Sequence, residues 1–242
     1  MKINAIALTL ISLSLFLFSC DVSNEQVKPS AAITTRNEAF TDYNMIEASH
    51  AFQVYVNFSD TEESIEIEAN ENLHQYIEVT NVNDVLHIGL RDQISVRGSA
   101  TLKAYITTKH VSSYSGSGAT SFIIESPLIS EDVHVYLSGA SVFNGELQAV
   151  NVVADLSGAS VMNISGLTDI CDIEASGASV FKGYGFEAKK LEAQISGASN
   201  ISITVEDEIN IEASGASSLN YKGNATVKSQ NLSGASSIRN TN

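Results

Sequence analysis

Seven copies of Ser-Gly-Ala carry the residues that most readily suggest chemistry in this sequence. Their leading serines are Ser117, Ser138, Ser157, Ser176, Ser196, Ser214 and Ser233. A serine hydroxyl becomes a nucleophile only when a nearby general base accepts its proton. The Gly-x-Ser-x-Gly elbow of hydrolases is missing, and all five histidines precede residue 135. The serines are therefore interpreted as structural, and the sequence predicts no catalytic residue and no enzyme activity.

Cys171 is a second candidate for chemistry, because a thiolate can act as a nucleophile or a metal ligand. In the repeat described below, however, it falls in a column otherwise filled by aliphatic residues, which are Val133, Val152, Leu191 and Ile209. A free cysteine in such a column behaves as a small apolar side chain. We therefore expect Cys171 to lie in the core.

Outward-facing carboxylates form a third group. The repeat places Asp155 beside Glu174, and Asp172 beside Glu192, on neighbouring strands. Like charges in that arrangement repel, and Ca²⁺ could relieve the repulsion through oxygen ligands. The Gly-Gly-x-Gly-x-Asp repeat of calcium-binding β-helices is missing. We expect a solvated, screened acidic face, and the sequence predicts no metal site and no cofactor.

Cys20 follows a segment typical of an export signal. Lys2 precedes an apolar run over residues 5–18, which is too short to cross a bilayer comfortably. The run ends in Leu17-Phe18-Ser19-Cys20, which resembles the lipobox of bacterial lipoproteins, although Phe18 is bulkier than the usual residue. This pattern predicts a signal peptide over residues 1–19, lipidation of Cys20 and attachment to a membrane. The polar stretch that follows predicts a flexible tether over residues 20–37.

The Ser-Gly-Ala copies define a repeat, because successive serines are 21, 19, 19, 20, 18 and 19 residues apart. Apolar residues stand one, three and five places before each serine in most copies, as in Val133-Val135-Leu137, and five places after it, as in Phe122. Alternation with polar neighbours indicates strands. The sequence predicts an all-β fold in which coils of about 19 residues stack as a parallel β-helix over residues 111–242. Tyr221–Asn242 is expected to be its polar end, because Lys228 and Gln230 fall at positions that are apolar elsewhere.

The corner of each predicted coil is Ser-Gly-Ala-Ser, or Ser-Gly-Ala-Thr in the first copy. Glycine permits a backbone conformation that other residues resist. We expect the alanine to point into the crowded interior and the two serine positions to form hydrogen-bond ladders along the stack.

Residues 38–110 alternate in the same way but lack the repeat, which predicts a strand-rich cap that forms one structural unit with the coils over residues 38–242. Predicted strands include Met45–Ala48, Val85–Leu90 and Leu102–Thr107. One helical turn is expected over Leu73–Tyr76, capped by Asn72.

In these features the chain resembles a bacterial family known as "putative auto-transporter adhesin, head GIN domain". The resemblance covers about residues 40–238. It is carried by the leader with Cys20, the strand Ala51-Phe52-Gln53-Val54-Tyr55-Val56, the turn Glu71-Asn72-Leu73, the strand Leu86-His87-Ile88, and Ser115-Gly116-Ser117-Gly118-Ala119. It implies an all-β domain with β-helical character at the cell envelope. A right-handed sense of winding follows only by analogy with β-helices.

Charge narrows the function further. Asp and Glu number 28 against 13 Lys and Arg, for a net charge of −15. Nucleic acid is therefore not expected as a partner. We expect a non-catalytic envelope lipoprotein, anchored in the membrane at the outer membrane or the periplasmic face, whose elongated surface serves adhesion or scaffold contacts. A glycan or an envelope protein is the expected ligand, and the binding residues stay unassigned. A polysaccharide-active β-helix enzyme and a sensory or assembly component are the alternatives.

Overall fold

The computed structural model describes residues 25–242, so the predicted signal peptide and Cys20 lie outside the described residues. These residues form an all-β structure with one short 3₁₀ helix at Glu71–Tyr76. The first nine strands are β1 (Glu25–Val27), β2 (Ile33–Glu38), β3 (Met45–Ala48), β4 (Gln53–Phe58), β5 (Ser64–Asn70), β6 (Ile77–Val82), β7 (Val85–Leu90), β8 (Ile94–Val96) and β9 (Leu102–Thr108). The other ten are β10 (Ser113–Gly116), β11 (Ser121–Ile124), β12 (Leu128–Leu137), β13 (Val142–Leu156), β14 (Val161–Ala175), β15 (Val180–Ile195), β16 (Asn200–Ala213), β17 (Ser218–Lys222), β18 (Thr226–Leu232) and β19 (Ser237–Asn240).

Strands β10 to β19 form the predicted parallel β-helix. Strands β10 to β17 pair in parallel with strands of the coils before and after them, and β18 and β19 pair only with the coil before, so that equivalent residues of successive repeats lie side by side. The column that begins at Val133 continues through Val152, Cys171, Leu191 and Ile209, and every member is almost fully buried. The predicted fold class, register and core position of Cys171 are therefore confirmed.

Each coil has three strand segments around this core. We name the outer surfaces by the segments of the coils. The front face comprises the five residues that end at each corner, such as 133–137 and 152–156. The side face follows each corner, beginning with 142–145 and 161–164. The back face comprises 128–132, 147–151 and 165–170 with their counterparts in later coils.

The corner between the front and side faces differs from the expectation in one respect. Alanines such as Ala159 and Ala178 are exposed, whereas the serine or threonine that follows each of them is buried, as at Ser160 and Ser179. The inward placement of alanine was thus wrong. The turn makes two consecutive residues of each corner face solvent, so the alternation resumes one position later than expected. Except at Ser199, the hydroxyl at this position is satisfied within its own corner, as where Ser160 Oγ donates to the Ser157 carbonyl at 2.9 Å.

Glycine is required at these corners for two reasons. Gly139 has φ of +68°, in the left-handed region, and a Cβ there would lie 2.4 Å from the Gly118 carbonyl oxygen of the preceding coil. The next corner repeats the arrangement at Gly158, with φ of +72° and a distance of 2.5 Å to the Gly139 oxygen. Backbone conformation and coil spacing therefore both exclude a side chain.

The cap continues the stack, but in an order that differs from the order of the chain. Strands β3 and β4 form a coil that lies between β10 and β11 on one side and β7 and β9 on the other. Antiparallel strands β6, β5 and β2 then extend the front and side faces outward. The buried side chains of the cap and of the repeats form one continuous core.

Two local features of the cap differ from the expectation. Part of the predicted tether is structured, because β1 pairs with β8 and β2 pairs antiparallel with β5. Five of the six residues of β2 are polar and it lies at an edge of the sheet, so it lacks the alternation that marks the inner strands. The 3₁₀ helix is preceded by Asn70 rather than capped by Asn72, and Asn70 makes no side-chain capping bond. Asn72 Oδ1 instead accepts a hydrogen bond from the Ser30 amide at 2.8 Å.

The last coil contains an irregularity that the repeat alone does not predict. The register between β16 and β18 shifts after Val227, which pairs with Ile209, so that Asn210 pairs with Ser229. Lys228 is thereby displaced outward, and Val227 takes the aliphatic column that simple counting assigned to lysine. Gln230 does pair with Ile211, as counted, and is exposed.

Candidate functional site

A groove of about 560 Å³ runs along the boundary between the front face and the corners. It extends from the coil of Ser115 to the coil of Ser233, so it follows the stacking direction of the β-helix. It is lined by the leading serine of each corner and by the two residues before it, of which the one directly before the serine has a buried side chain. We call this feature the front groove.

The predicted serine column forms one side of the front groove. Backbone amides of these serines donate to the preceding coil, as Ser157 does to the Leu137 carbonyl at 2.8 Å. Two of the hydroxyls make longer bonds of the same kind, 3.2 Å from Ser157 Oγ to the Leu137 oxygen and 3.4 Å from Ser138 Oγ to the Gly116 oxygen. The serines therefore hold the coils together and also present hydroxyls to the groove.

Acidic and amide side chains form the opposite side. The column two residues before each serine contains Tyr136, Asp155, Glu174, Gln194, Glu212 and Asn231. Within residues 25–242, the groove lining contains no lysine, arginine or histidine. No groove serine therefore has an adjacent histidine base, and the lining combines carboxylate acceptors with hydroxyl and amide groups.

The carboxylates of the front face repel one another. Burial raises the pKa of Asp155, and the neighbouring Asp172 carboxylate raises it further. The pKa of Asp172 is raised by burial and by its neighbours Glu174 and Glu192. The predicted stacking of Asp155 on Glu174 and of Asp172 on Glu192 is confirmed by the strand register. The front face is thus a region of negative potential.

Aromatic rings border this acidic region. His134 and Tyr136 alternate with buried residues on one strand, and their rings lie nearly parallel, with centroids 6.3 Å apart and an interplanar angle of 9°. Tyr136 is 37% exposed and lines the groove. Sequence reasoning identified Asp155 and Glu174 but missed Tyr136, Gln194 and Glu212 as lining residues. Their shared position, two residues before each serine, was the available signal.

The other candidate residues lie apart from the groove. Cys171 is fully buried, and burial raises the pKa of its thiol. Among the described residues, no group of three or more His, Cys, Asp or Glu side chains is arranged to hold a metal ion. Lys189 and Asp169, on the back face, form an ion pair at 2.7 Å.

No helix within residues 25–242 has the length and apolar character needed to cross a bilayer.

Comparison with known proteins identifies relatives of this architecture. The model of the family described as "Putative auto-transporter adhesin, head GIN domain" matches residues 42–225. A crystal structure of a "putative adhesin" from Bacteroides fragilis is 23% identical, with a TM-score of 0.82 over 89% of this chain and 100% of that chain. A "putative adhesin" from Parabacteroides merdae is 20% identical, with a TM-score of 0.72 over 90% and 99%.

A third similar structure is a "putative lipid binding protein" from Parabacteroides distasonis. It is 17% identical, with a TM-score of 0.76 over 90% of this chain and 100% of that chain. At these identities the three structures establish a shared fold. The curated proteins contain no match to the chain.

Proposed function

Because this chain belongs to the family described as "Putative auto-transporter adhesin, head GIN domain", we propose that it is a non-catalytic lipoprotein of the cell envelope. Its β-helix presents the front groove to a ligand, and adhesion or scaffold contact is its role. The single observation that carries this proposal is the front groove itself, which joins equivalent residues of successive coils into one elongated binding surface.

An uncharged or cationic glycan is the ligand that fits this surface best. Sugar hydroxyls would donate hydrogen bonds to carboxylates such as Asp155 and Glu174, and the exposed ring of Tyr136 offers a surface on which a sugar can stack. Anionic polysaccharides would be repelled by the same carboxylates. A polymer lying along the groove would meet equivalent groups about every 4.8 Å, which is the spacing of neighbouring strands.

Orientation at the membrane follows from the proposed anchor. Cys20 stands five residues before Glu25, and the Glu25 carboxylate accepts a hydrogen bond from Tyr76 Oη at 2.7 Å. Tyr76 belongs to the 3₁₀ helix of the cap, so lipidation of Cys20 would place the cap nearest the bilayer. On the front face ten strands run from β6, the outermost of the cap, to β18, so the last coil would stand about 43 Å from β6.

A glycan array followed by a reducing-sugar assay tests the function. We expect binding without release of reducing ends. Asp155→Asn and Glu174→Gln should weaken binding at least about tenfold, because each removes a charged acceptor, an interaction worth about 1.5–3 kcal/mol. Glu131→Gln on the back face is the matched control and should bind as the unchanged chain does. Turnover that disappears on changing one of these carboxylates would instead favour the polysaccharide-active enzyme.

The anchor needs a separate test. Metabolic labelling with a palmitate analogue should mark the unchanged chain and not Cys20→Ala, and proteolysis of intact cells should report surface exposure. Absence of label on the unchanged chain would contradict lipid anchoring. Protection of the chain from protease added to intact cells would contradict a role in adhesion.

A further inference from the structure

The back face carries an apolar patch that neither the fold nor the front groove uses. Eight large apolar side chains are exposed within residues 25–242, and four of them lie on three successive coils of this face. They are Ile129, Val150, Leu167 and Ile170, with exposed fractions of 68%, 45%, 55% and 42%. We call these four residues the back patch.

Strand register brings these side chains close together. Ile129 pairs with Gln148, which pairs with Leu167, so the two aliphatic residues occupy one column two coils apart. Ile170 pairs with Asn151, directly after Val150. Two coil spacings amount to about 9.6 Å, which is close to the ~10.5 Å between residues i and i+7 of an α-helix. An apolar stripe along a helix parallel to the stack can therefore contact both ends of the patch.

Carboxylates border the back patch on its first two coils. Glu131, Asp132 and Glu146 are exposed there. Asp132 accepts a hydrogen bond from Asn151, and none of the three forms an ion pair within residues 25–242. At the opposite end of the patch Lys190 pairs in register with Ile170, and the adjacent Lys189 is paired with Asp169. A partner that covers the patch would place apolar groups over its centre and positive charge beside the carboxylates of Glu131, Asp132 and Glu146.

We propose that the back patch is a docking site for a basic amphipathic helix of a partner protein. Aliphatic side chains of the helix at i, i+3 or i+4 and i+7 pack on Ile129, Val150 and Leu167, and its lysines or arginines face Glu131 and Asp132. Charge argues for this occupant over a second copy, because two chains that each carry a net charge of −15 repel. It argues equally against an anionic lipid surface. This site is separate from the front groove and does not depend on the proposed function.

An 18-residue helical peptide of leucine and lysine, with leucines at helical spacing, is the probe, and a leucine–glutamate peptide of the same pattern is its control. Binding is measured by fluorescence anisotropy on the whole chain and on two double variants. Ile129→Ser with Leu167→Ser removes the patch. Ile33→Ser with Val82→Ser is the matched control, since Ile33 and Val82 are 52% and 53% exposed on the cap.

We expect the leucine–lysine peptide to bind the whole chain, and patch removal to weaken binding at least about tenfold, whereas the cap control changes it less than about twofold. Glu131→Lys should weaken binding more than Glu78→Lys on the cap. Isoleucine methyl resonances of the unchanged chain should shift at Ile129 and Ile170, which tests the site without any substitution.

Four outcomes would overturn the proposal. Equal binding of the leucine–lysine peptide by the two double variants would show that the peptide is attracted to the acidic chain in general. Equal binding of the leucine–glutamate peptide by the unchanged chain would remove the charge argument. Dimers that dissociate on patch removal would identify a second copy as the occupant. Binding to phosphatidylglycerol vesicles that depends on Ile129 and Leu167 would identify a lipid surface.

Discussion

The backbone amide of Ala159 donates to the carbonyl oxygen of Gly139, one coil earlier, at 2.7 Å. The same bond, at the same length, joins Ala140 to Gly118 and Ala178 to Gly158. The corner glycines from Gly139 to Gly215 therefore each accept a hydrogen bond from the next coil, and a Cβ on any of them would meet the glycine carbonyl of the coil before. This relationship fixes the distance between coils and determines which residue types a corner tolerates.

Substitution of a corner glycine should be severely destabilising. At Gly158 an alanine must adopt left-handed backbone, at roughly 1–2 kcal/mol, and its Cβ meets the Gly139 oxygen, for which relief costs about 1–3 kcal/mol more. Gly98→Ala is the control, because φ there is +105° but no atom lies within 4 Å of the added Cβ. Urea unfolding should show a clearly larger loss of stability for Gly158→Ala. Equal losses would mean that coil spacing imposes no limit.

The burial difference between neighbouring corner residues gives a second prediction. Ser179 is fully buried and Ala178 is exposed, so substitution by leucine should lower stability at the first position and leave it nearly unchanged at the second. Ser179→Leu overfills the interior and should lower the free energy of unfolding by about 1–3 kcal/mol or more. Ala178→Leu should change it by less than about 0.5 kcal/mol. A larger loss for Ala178→Leu in thermal unfolding would contradict the inside-outside assignment.

Hydroxyl satisfaction varies within the buried serine column. Ser179 Oγ donates to the Ser176 carbonyl at 2.6 Å, whereas Ser199 Oγ is buried with no hydrogen-bond partner among the described residues. Ser179→Ala should therefore cost about 0.5–1.5 kcal/mol, and Ser199→Ala should be neutral or stabilising. The comparison uses the same substitution in one column. Equal unfolding midpoints for the two variants would refute it.

Burial and acidic repulsion on the front face, which both raise the pKa of Asp172, predict a pH dependence of stability. The raised pKa of Asp172 means that the folded chain binds this proton more tightly than the unfolded chain does. Its contribution to stability is greatest at low pH and is lost as pH rises from about 4, the unfolded value, through the higher folded pKa. Asp172→Asn removes this loss.

The Asp172→Asn variant should be about 0.2–1 kcal/mol more stable than the unchanged chain at pH 7 and similar to it at pH 3. Added salt should reduce the difference at pH 7, because it screens the repulsion. Asp60→Asn, in an exposed turn, controls for removal of a charge from an acidic protein. A difference that stays constant from pH 3 to pH 7 would rule out the carboxylate pairs as its cause.

The periodicity of apolar residues in the sequence predicted most of the fold. Alternation before each serine located the buried columns, since every coil buries the same positions and selection for apolar residues there leaves a direct pattern. The corner was misjudged because Ala178 and Ser179 are both small, so residue type does not reveal which side chain points inward. Only the left-handed turn at Gly177 decides it.

Features without a repeat were harder to predict. β2 gains its place by pairing with β5, and such pairing leaves little trace in a strand whose side chains are mostly polar and exposed. The front groove depends on the curvature between faces, which single columns do not encode. Ile129 and Leu167 of the back patch are plainly apolar in the sequence. Their exposure, however, depends on which residues of β12 and β14 point outward.

The placement of β3 and β4 within the stack constrains how the chain can assemble. Both edges of that coil pair with segments that come later in the sequence. Residues 45–58 therefore cannot complete their strand pairing until residues 85–124 are in place. Growth coil by coil from the amino terminus is thereby ruled out, and closing these distant pairs slows folding. Truncation is correspondingly one-sided, because coils can be removed singly from the carboxyl end, whereas loss of residues 45–58 would separate the two halves of the molecule.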